Sequence, residues 1–299
     1  MQISSMFLRN VTCIDHAYID QAGKITGGSF HQEIIVKGSV DELEQVVVDF
    51  SAVKKQIKQI IDDKENGFDH KLLIIENFSN CSVSKISDTE YEIKTPFYRL
   101  SVPMNAIKFV KYSPSSEQYY NMKSLRSIIE DAMRDELEVG LNNYNQNTDI
   151  CVDLKLTQEI FGKDPKTFTY FHGLKHSTSW GCNNIAHGHT SFVEVYDDTG
   201  TRLADMERLV SWYLDNSMLA FKDNFVAENV IQYTTPRGLF VLEFQKGVNV
   251  IVMDQETTIE NIVEHVCHLF KQVFQFHAVE RIFISEGLQK GALKVISEP

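Results

Sequence analysis

Residues 230–254 read VIQYTTPRGLFVLEFQKGVNVIVMD, and residues 91–113 read YEIKTPFYRLSVPMNAIKFVKYS. Both have a Thr-Pro step, then an alternating apolar strand, a short turn and a second strand. Working outward, each copy has an amphipathic helix upstream: VVVDFSAVKKQIKQIID (46–62) in one and ADMERLVSWYLDNSMLAF (204–221) in the other. Another helix follows each, at MKSLRSIIEDAMRDELEVGLNNY (122–144) and TIENIVEHVCHLFKQVFQF (258–276). Each half opens on a strand, FLRNVTCIDHAYI (7–19) or KTFTYFHGL (166–174), which leads through a loop to a second. Each closes on an apolar strand, DICVDLKL (149–156) or RIFISEG (281–287). The predicted order is β-β-α, an extra hairpin, then α-β, twice over. Gene duplication explains it most simply. The fold class is α+β, with antiparallel sheets carrying helices on one face. EIFGKDPK (159–166) has Gly and Pro and no periodicity, so domains of 1–162 and 163–299 are expected.

Composition narrows the function. Hydrophobic residues make up 43% of the 299 and charged residues 23%, as in ordinary globular proteins. A net charge of −12 disfavours nonspecific binding to nucleic acid or to an anionic membrane. No apolar run approaches the ~20 residues of a membrane span. The first residues show no signal peptide, and the cytoplasm is the expected compartment. Five scattered cysteines, at 13, 81, 151, 182 and 267, do not form a disulfide framework.

The second half contains TFTYFHGLKHSTSWGCNNIAHGHTSFVEV (167–195). On a strand, His187 and His189 point to the same face and can reach one ion. The preceding segment offers a third ligand in His172 or His176. Three neutral imidazoles with an open fourth position suit a catalytic zinc.

These residues resemble the 6-pyruvoyl tetrahydropterin synthase and 6-carboxytetrahydropterin synthase family, whose members show an F-x-x-x-H strand, a loop cysteine, then HGH leading into a strand. His172 lies four residues after Phe168 and fifteen before His187, so the resemblance selects His172, His187 and His189 as ligands of Zn²⁺. It implies two tandem tunnelling-fold (T-fold) domains that oligomerise into a barrel, most simply as a symmetric homo-oligomer. It makes Cys182 the proton-abstracting base, which requires a lowered thiol pKa. It also implies an Asp-His pair after the first helix of each unit. The second half offers Asp223-Asn224 there, whereas the first half has Asp69-His70.

Conversely, the first half has lost its zinc motif. His16 is aligned with His172, and Thr26-Gly27-Gly28 fall where HGH stands. The complementary losses predict one composite site: zinc and Cys182 from the second half, Asp69 and His70 from a first half of the same or another molecule. By resemblance Glu286, just after the last strand, anchors a pterin ring by bidentate hydrogen bonds. Thr258 either contacts the pterin or caps its helix.

The expected function is a zinc-dependent lyase on 7,8-dihydroneopterin triphosphate. Triphosphate elimination would form 6-pyruvoyl- or 6-carboxytetrahydropterin, the latter a precursor in queuosine biosynthesis. The alternatives are a zinc- and pterin-binding protein without the full reaction, and a dihydroneopterin aldolase-like activity.

Overall fold

The strand expected over 7–19 is broken in the middle, where Asn10 takes φ 51°. Its two parts, β1 (Ile3–Arg9) and β2 (Ile14–Ile19), follow one another along β3 (Ile25–Ser39), with Arg9 opposite Glu33 and Ile14 opposite Phe30. Next comes α1 (Phe50–Ile61). Asp49 caps it by accepting the Ala52 N–H at 2.7 Å, and Val53, Ile57 and Ile61 form its buried stripe. The half continues through β4 (Leu72–Ile75), β5 (Ser82–Lys85), β6 (Glu90–Lys94), β7 (Tyr98–Pro103), β8 (Ile107–Val110), α2 (Leu125–Asn145) and β9 (Cys151–Thr157).

The second half follows the same plan. It comprises β10 (Lys166–His172), β11 (His187–Tyr196), α3 (Ala204–Leu214), β12 (Ser217–Phe221), β13 (Phe225–Ala227), β14 (Val230–Thr235), β15 (Gly238–Phe244), β16 (Val250–Met253), α4 (Ile259–Leu269) and β17 (Arg281–Glu286). A final strand, β18 (Lys290–Val295), pairs with β17 and has no counterpart in the first half among the described residues. This computed structural model describes residues 3–112, 125–145, 149–158, 166–269 and 279–296. The expected boundary at residue 163, and the ends of two expected helices, 122–124 and 270–276, lie outside the described residues.

The fold is α+β, with two corrections to the sequence reading. The helix expected over 204–221 stops at Leu214, Asn216 turns the backbone at φ 52°, and SMLAF is a strand. SMLAF is buried on both faces, so it lacks the alternation that would have marked it as a strand. The large sheets are also mixed rather than antiparallel. β4 pairs β2 and β8 in parallel, and β12 pairs β10 and β16 in parallel. Parallel neighbours need a crossover connection: α1 lies in the one from β2 to β4 and α3 in the one from β10 to β12, while β5–β7 and β13–β15 lie in those to β8 and β16.

Strand pairing runs β9-β3-β2-β4-β8 in one sheet and β17-β11-β10-β12-β16 in the other. The helices cover one face of each. Ile57 and Leu137 pack on the first sheet, Leu214 and Ile262 on the second. The extra hairpins merge into a third sheet, β13-β14-β15-β7-β6-β5, in which Phe244 pairs with Tyr98 across the halves. Its Leu100 and Phe240 share one core with Ala17 and Leu72 of the first sheet and Phe171 and Met218 of the second. Among the described residues, no helix is long and apolar enough to cross a membrane.

The two large sheets touch where β3 meets β11. A Cβ on Gly27 would overlap the Tyr170 carbonyl oxygen and lie 2.7 Å from the His189 nitrogen, and one on Gly188 would lie 2.5 Å from the Gly27 Cα. Beside this contact Ser29 and Thr190 exchange hydrogen bonds: Thr190 N–H donates to Ser29 Oγ at 3.0 Å, and Ser29 N–H donates to Thr190 Oγ1 at 3.2 Å. Gly27→Ala should therefore force the sheets apart and destabilise the protein by about 1–3 kcal/mol, read by urea denaturation. An unchanged midpoint would contradict the close crossing.

Candidate metal centre and its neighbours

His172 ends β10 and pairs directly with His187, the first residue of β11. His189 follows on the same face, so all three rings converge in the buried space between the sheets. His176, the competing ligand, instead stands exposed, with its Nδ1 2.8 Å from Glu256.

The outer nitrogen of each ring faces an oxygen atom. His187 Nδ1 is 2.8 Å from the Asn184 carbonyl and His189 Nδ1 is 3.2 Å from an Asp15 carboxylate oxygen. A carbonyl can only accept, so His187 Nδ1 carries the proton and its Nε2 presents a lone pair, and the carboxylate beside His189 Nδ1 favours the same tautomer there. His172 Nδ1 meets Thr257 Oγ1 at 2.9 Å, and its Nε2 lies 3.2 Å from His189 Nε2. His187 Nε2 is buried without a hydrogen-bond partner. Burial, then the charges of His187 and His189, push the His172 pKa well down, favouring the neutral ring that ligates. Three inward-facing imidazole nitrogens are a donor set of the kind that binds zinc. The residues fit the metal the sequence implies.

A second cluster adjoins the first. Cys182 lies on a short helical turn in the loop between β10 and β11, with Sγ 3.6 Å from His70 Nε2. His70 Nδ1 is 2.5 Å from Asp69 Oδ2. The first half of the same molecule therefore supplies the Asp-His pair. Burial raises the Cys182 pKa, but the neighbouring His187 and His70 outweigh it and bring the thiol down to about 4. Burial lowers the His70 pKa, but Asp69 reverses this and lifts it well above the usual value. The pair is thus a thiolate facing an imidazolium. His70, Cys182 and His187 also make a possible metal set of their own, sharing His187 with the first.

The packing around His70 explains its position. It takes φ 55°, and its ring lies against Gly181, where a Cβ would come within 2.6 Å. Arg237, from the turn between β14 and β15, fastens the cysteine loop to the first half. It donates to the Trp180 carbonyl at 3.0 Å and the Asn105 carbonyl at 2.7 Å. Asn184 does the same through Nδ2 to the His70 and Ala106 carbonyls, at 3.0 and 2.8 Å. A cavity of about 150 Å³ lined by His70, Trp180, Gly181 and Arg237 opens beside the pair.

Asp15 is the residue that sequence reasoning missed. Besides His189, it accepts from Ser29 Oγ at 2.5 Å, its N–H donates to Asp69 Oδ1 at 2.9 Å, and its carbonyl accepts the His70 N–H at 2.5 Å. Burial opposes its ionisation, yet His189, His70 and the Ser29 hydroxyl hold its carboxyl well below the usual range. It sits one residue before the His16 singled out by alignment, and only the packing of the two sheets reveals its role. Thr257, Asn184 and Arg237 were missed for the same reason.

Glu286 ends β17, next to the strand bearing His187 and His189. It pairs with Lys290 at 2.9 Å. Burial raises its pKa, but His189 and then Lys290 lower it more. Thr258 Oγ1 accepts the Asn261 N–H at 3.4 Å, at the start of α4, as a capping residue does.

The pairing register corrects two alignments. His172 faces His187, and the matching pair in the first half is Tyr18 with Thr26; His16 faces Gly28 and so takes the place of Tyr170. Ala17, the mate of Phe171, pairs Leu72 while Phe171 pairs Met218, which sets Asp215-Asn216, and not Asp223-Asn224, opposite Asp69-His70. Asp215 accepts the Thr169 N–H at 2.9 Å just as Asp69 accepts that of Asp15, and Asn216 and His70 share the positive φ. The two-residue strand repeat makes His16 look like the mate of His172; a shift of two keeps every side chain on its face.

No protein-family profile and no curated protein matches the sequence. Among solved structures, a 6-pyruvoyl tetrahydropterin synthase from Plasmodium vivax is similar at 11% identity and a TM-score of 0.39, covering 54% of this chain and 95% of that one. One from Plasmodium falciparum is similar at 14% identity and a TM-score of 0.33, covering 52% of this chain and 91% of that one.

Removing the carboxylate behind His189 should loosen the metal. Asp15→Asn is expected to weaken zinc binding about 10–100-fold in a competitive chelator titration. An unchanged affinity would show that Asp15 does not support the ligand.

Proposed function

We propose that this protein is a zinc-dependent lyase acting on 7,8-dihydroneopterin triphosphate, with a site composed of both halves of one molecule. The observation that carries the reading is the direct contact of Cys182 with His70 beside the three inward-facing imidazoles. The residue pattern Phe168-x-x-x-His172, Cys182 and His187-Gly-His189 supports the same reaction class.

In this proposal His172, His187 and His189 hold Zn²⁺. Bound zinc supplies Lewis acidity toward an oxygen on the substrate's pterin substituent. Cys182, as the thiolate, takes a proton from the neighbouring C–H bond of that substituent. The electron pair left on that carbon forms the double bond that expels triphosphate. His70, as the imidazolium, gives its Nε2 proton to the product and is then restored by the proton on Sγ, while Asp69 fixes the ring through Nδ1. Glu286 accepts hydrogen bonds from the 2-amino group and neighbouring ring N–H of the pterin. Gly181 leaves room for His70, and Arg237 and Asn184 hold the cysteine loop over it. Loss of triphosphate followed by tautomerisation gives 6-pyruvoyl-tetrahydropterin; the 6-carboxy product would in addition require uptake of water and release of the two outer side-chain carbons as acetaldehyde. Domains of 1–162 and 163–299, descended from one duplicated unit, account for the matched strand orders and registers.

Two variants test the division of labour. His70→Ala should lower turnover of dihydroneopterin triphosphate at least about 100-fold and leave zinc content, by atomic absorption, at the wild-type level. Cys182→Ala should behave alike. Wild-type turnover in either variant would sink the proposal, and zinc loss in His70→Ala would assign that histidine to the metal instead.

A further inference from the structure

We infer that the first half keeps a second, metal-free pocket that binds a planar aromatic anion, bounded by His16, Tyr18, Phe30, Gln158 and Arg126. It is a cavity of about 470 Å³ at the position that strand register makes the mate of the three-histidine centre. That size lies within the range of small-molecule sites.

No metal set can form there from the mates of the ligands. Tyr18 stands for His172, Thr26 for His187 and Gly28 for His189. Tyr18 and Thr26 are hydrogen-bonded to one another, and the His16 ring occupies the space a side chain at Gly28 would need, 2.8 Å from its Cβ position. His16 nevertheless has an unused capacity. It is 1% exposed, lines the cavity, and neither ring nitrogen makes a hydrogen bond of normal geometry; the Ile14 backbone is the polar group beside it. Buried polar atoms are rarely left this way, and a ligand with a polar ring edge would satisfy them.

The walls define the ligand. The His16 and Phe30 rings stack with centroids 5.2 Å apart and 21° between planes, and Tyr18 lies 6.4 Å from His16, so a flat ring has aromatic surface to meet. Among the described lining residues Arg126 has the one full charge, and it is half-exposed at the mouth. Arg126 Nε lies 3.6 Å from a Glu130 carboxylate oxygen one helical turn on, a half-exposed pair that leaves the rest of the planar guanidinium fork to an anionic group. The register also sets Gln158 where the second half has Glu286, since Leu156 pairs with Gln32 as Ile284 pairs with Val193. An amide replaces the carboxylate that would repel an anion. Gln158 Nε2 donates to the Ser29 carbonyl at 3.3 Å and to Thr190 Oγ1 at 3.2 Å, which leaves its Oε1 to accept from the ligand.

The choice of probe rests on the proposed pterin chemistry, and the variants separate the two ideas. Pterin-6-carboxylate, a flat aromatic anion, is titrated calorimetrically into the zinc-loaded protein. Wild type should bind two equivalents per protein molecule. Glu286→Ala should lose one of them, at the metal centre. Arg126→Glu and Gln158→Glu should each weaken the other by at least about tenfold without changing zinc content. Binding that Glu286→Ala removes and neither first-half variant alters would overturn the second pocket while sparing the proposed function. Binding altered by Arg126→Glu and Gln158→Glu but untouched by Glu286→Ala would do the reverse. Absence of any component sensitive to the first-half variants overturns the inference.

Discussion

The contact of two glycines holds this molecule in its working arrangement. Where Gly27 meets Gly188, the backbones of two sheets come closer than any side chain permits. Ser29 and Thr190 then satisfy each other across the gap, in a place water cannot serve. One residue either way, the strands bear the chemistry. His187 and His189 flank Gly188, and Asp15 reaches His189 because β2 lies alongside β3. The three converging histidines thus belong to one half and part of their support to the other. The merged hairpin sheet reinforces this by joining β15 to β7 and by sending Arg237 back to the cysteine loop.

Burial in such a place changes what the side chains can do. An isolated thiol or imidazole would become neutral there. Cys182 and His70 remain charged because each has the other as partner and Asp69 stands behind His70. Asp15 is likewise ionised in the interior because His189, His70 and Ser29 surround it. Charges that would be costly singly are tolerable as a connected network. The same connectedness ties the two halves together: without Asp15, Asp69 and His70, His189 loses its neighbouring carboxylate and Cys182 its imidazole partner.

Much of this was legible in the sequence because local patterns encode it. The Thr-Pro steps marked real hairpins, since Thr95 and Thr235 both accept backbone N–H bonds inside the turn. HGH did put two rings on one face. The misreadings came from non-local facts. SMLAF lacks alternation because both its faces are covered, and the parallel pairings depend on crossovers that no short window contains. His16 was set against His172 because strand faces repeat every two residues, so register alone could separate it from Tyr18. Asp15 had no motif at all; its partners lie 14, 54 and 174 positions away and meet only in the folded protein.

His187 belongs to two overlapping donor sets, one with His172 and His189 and one with His70 and Cys182. Which set holds the ion decides whether Cys182 is a base or a ligand. X-ray absorption at the zinc edge of the zinc-loaded protein measures this directly. The account predicts nitrogen and oxygen neighbours at roughly 2.0–2.1 Å with imidazole scattering from three histidines and no sulfur. A sulfur neighbour near roughly 2.3 Å would contradict it, because the thiolate assigned to proton transfer would then be bound to the metal.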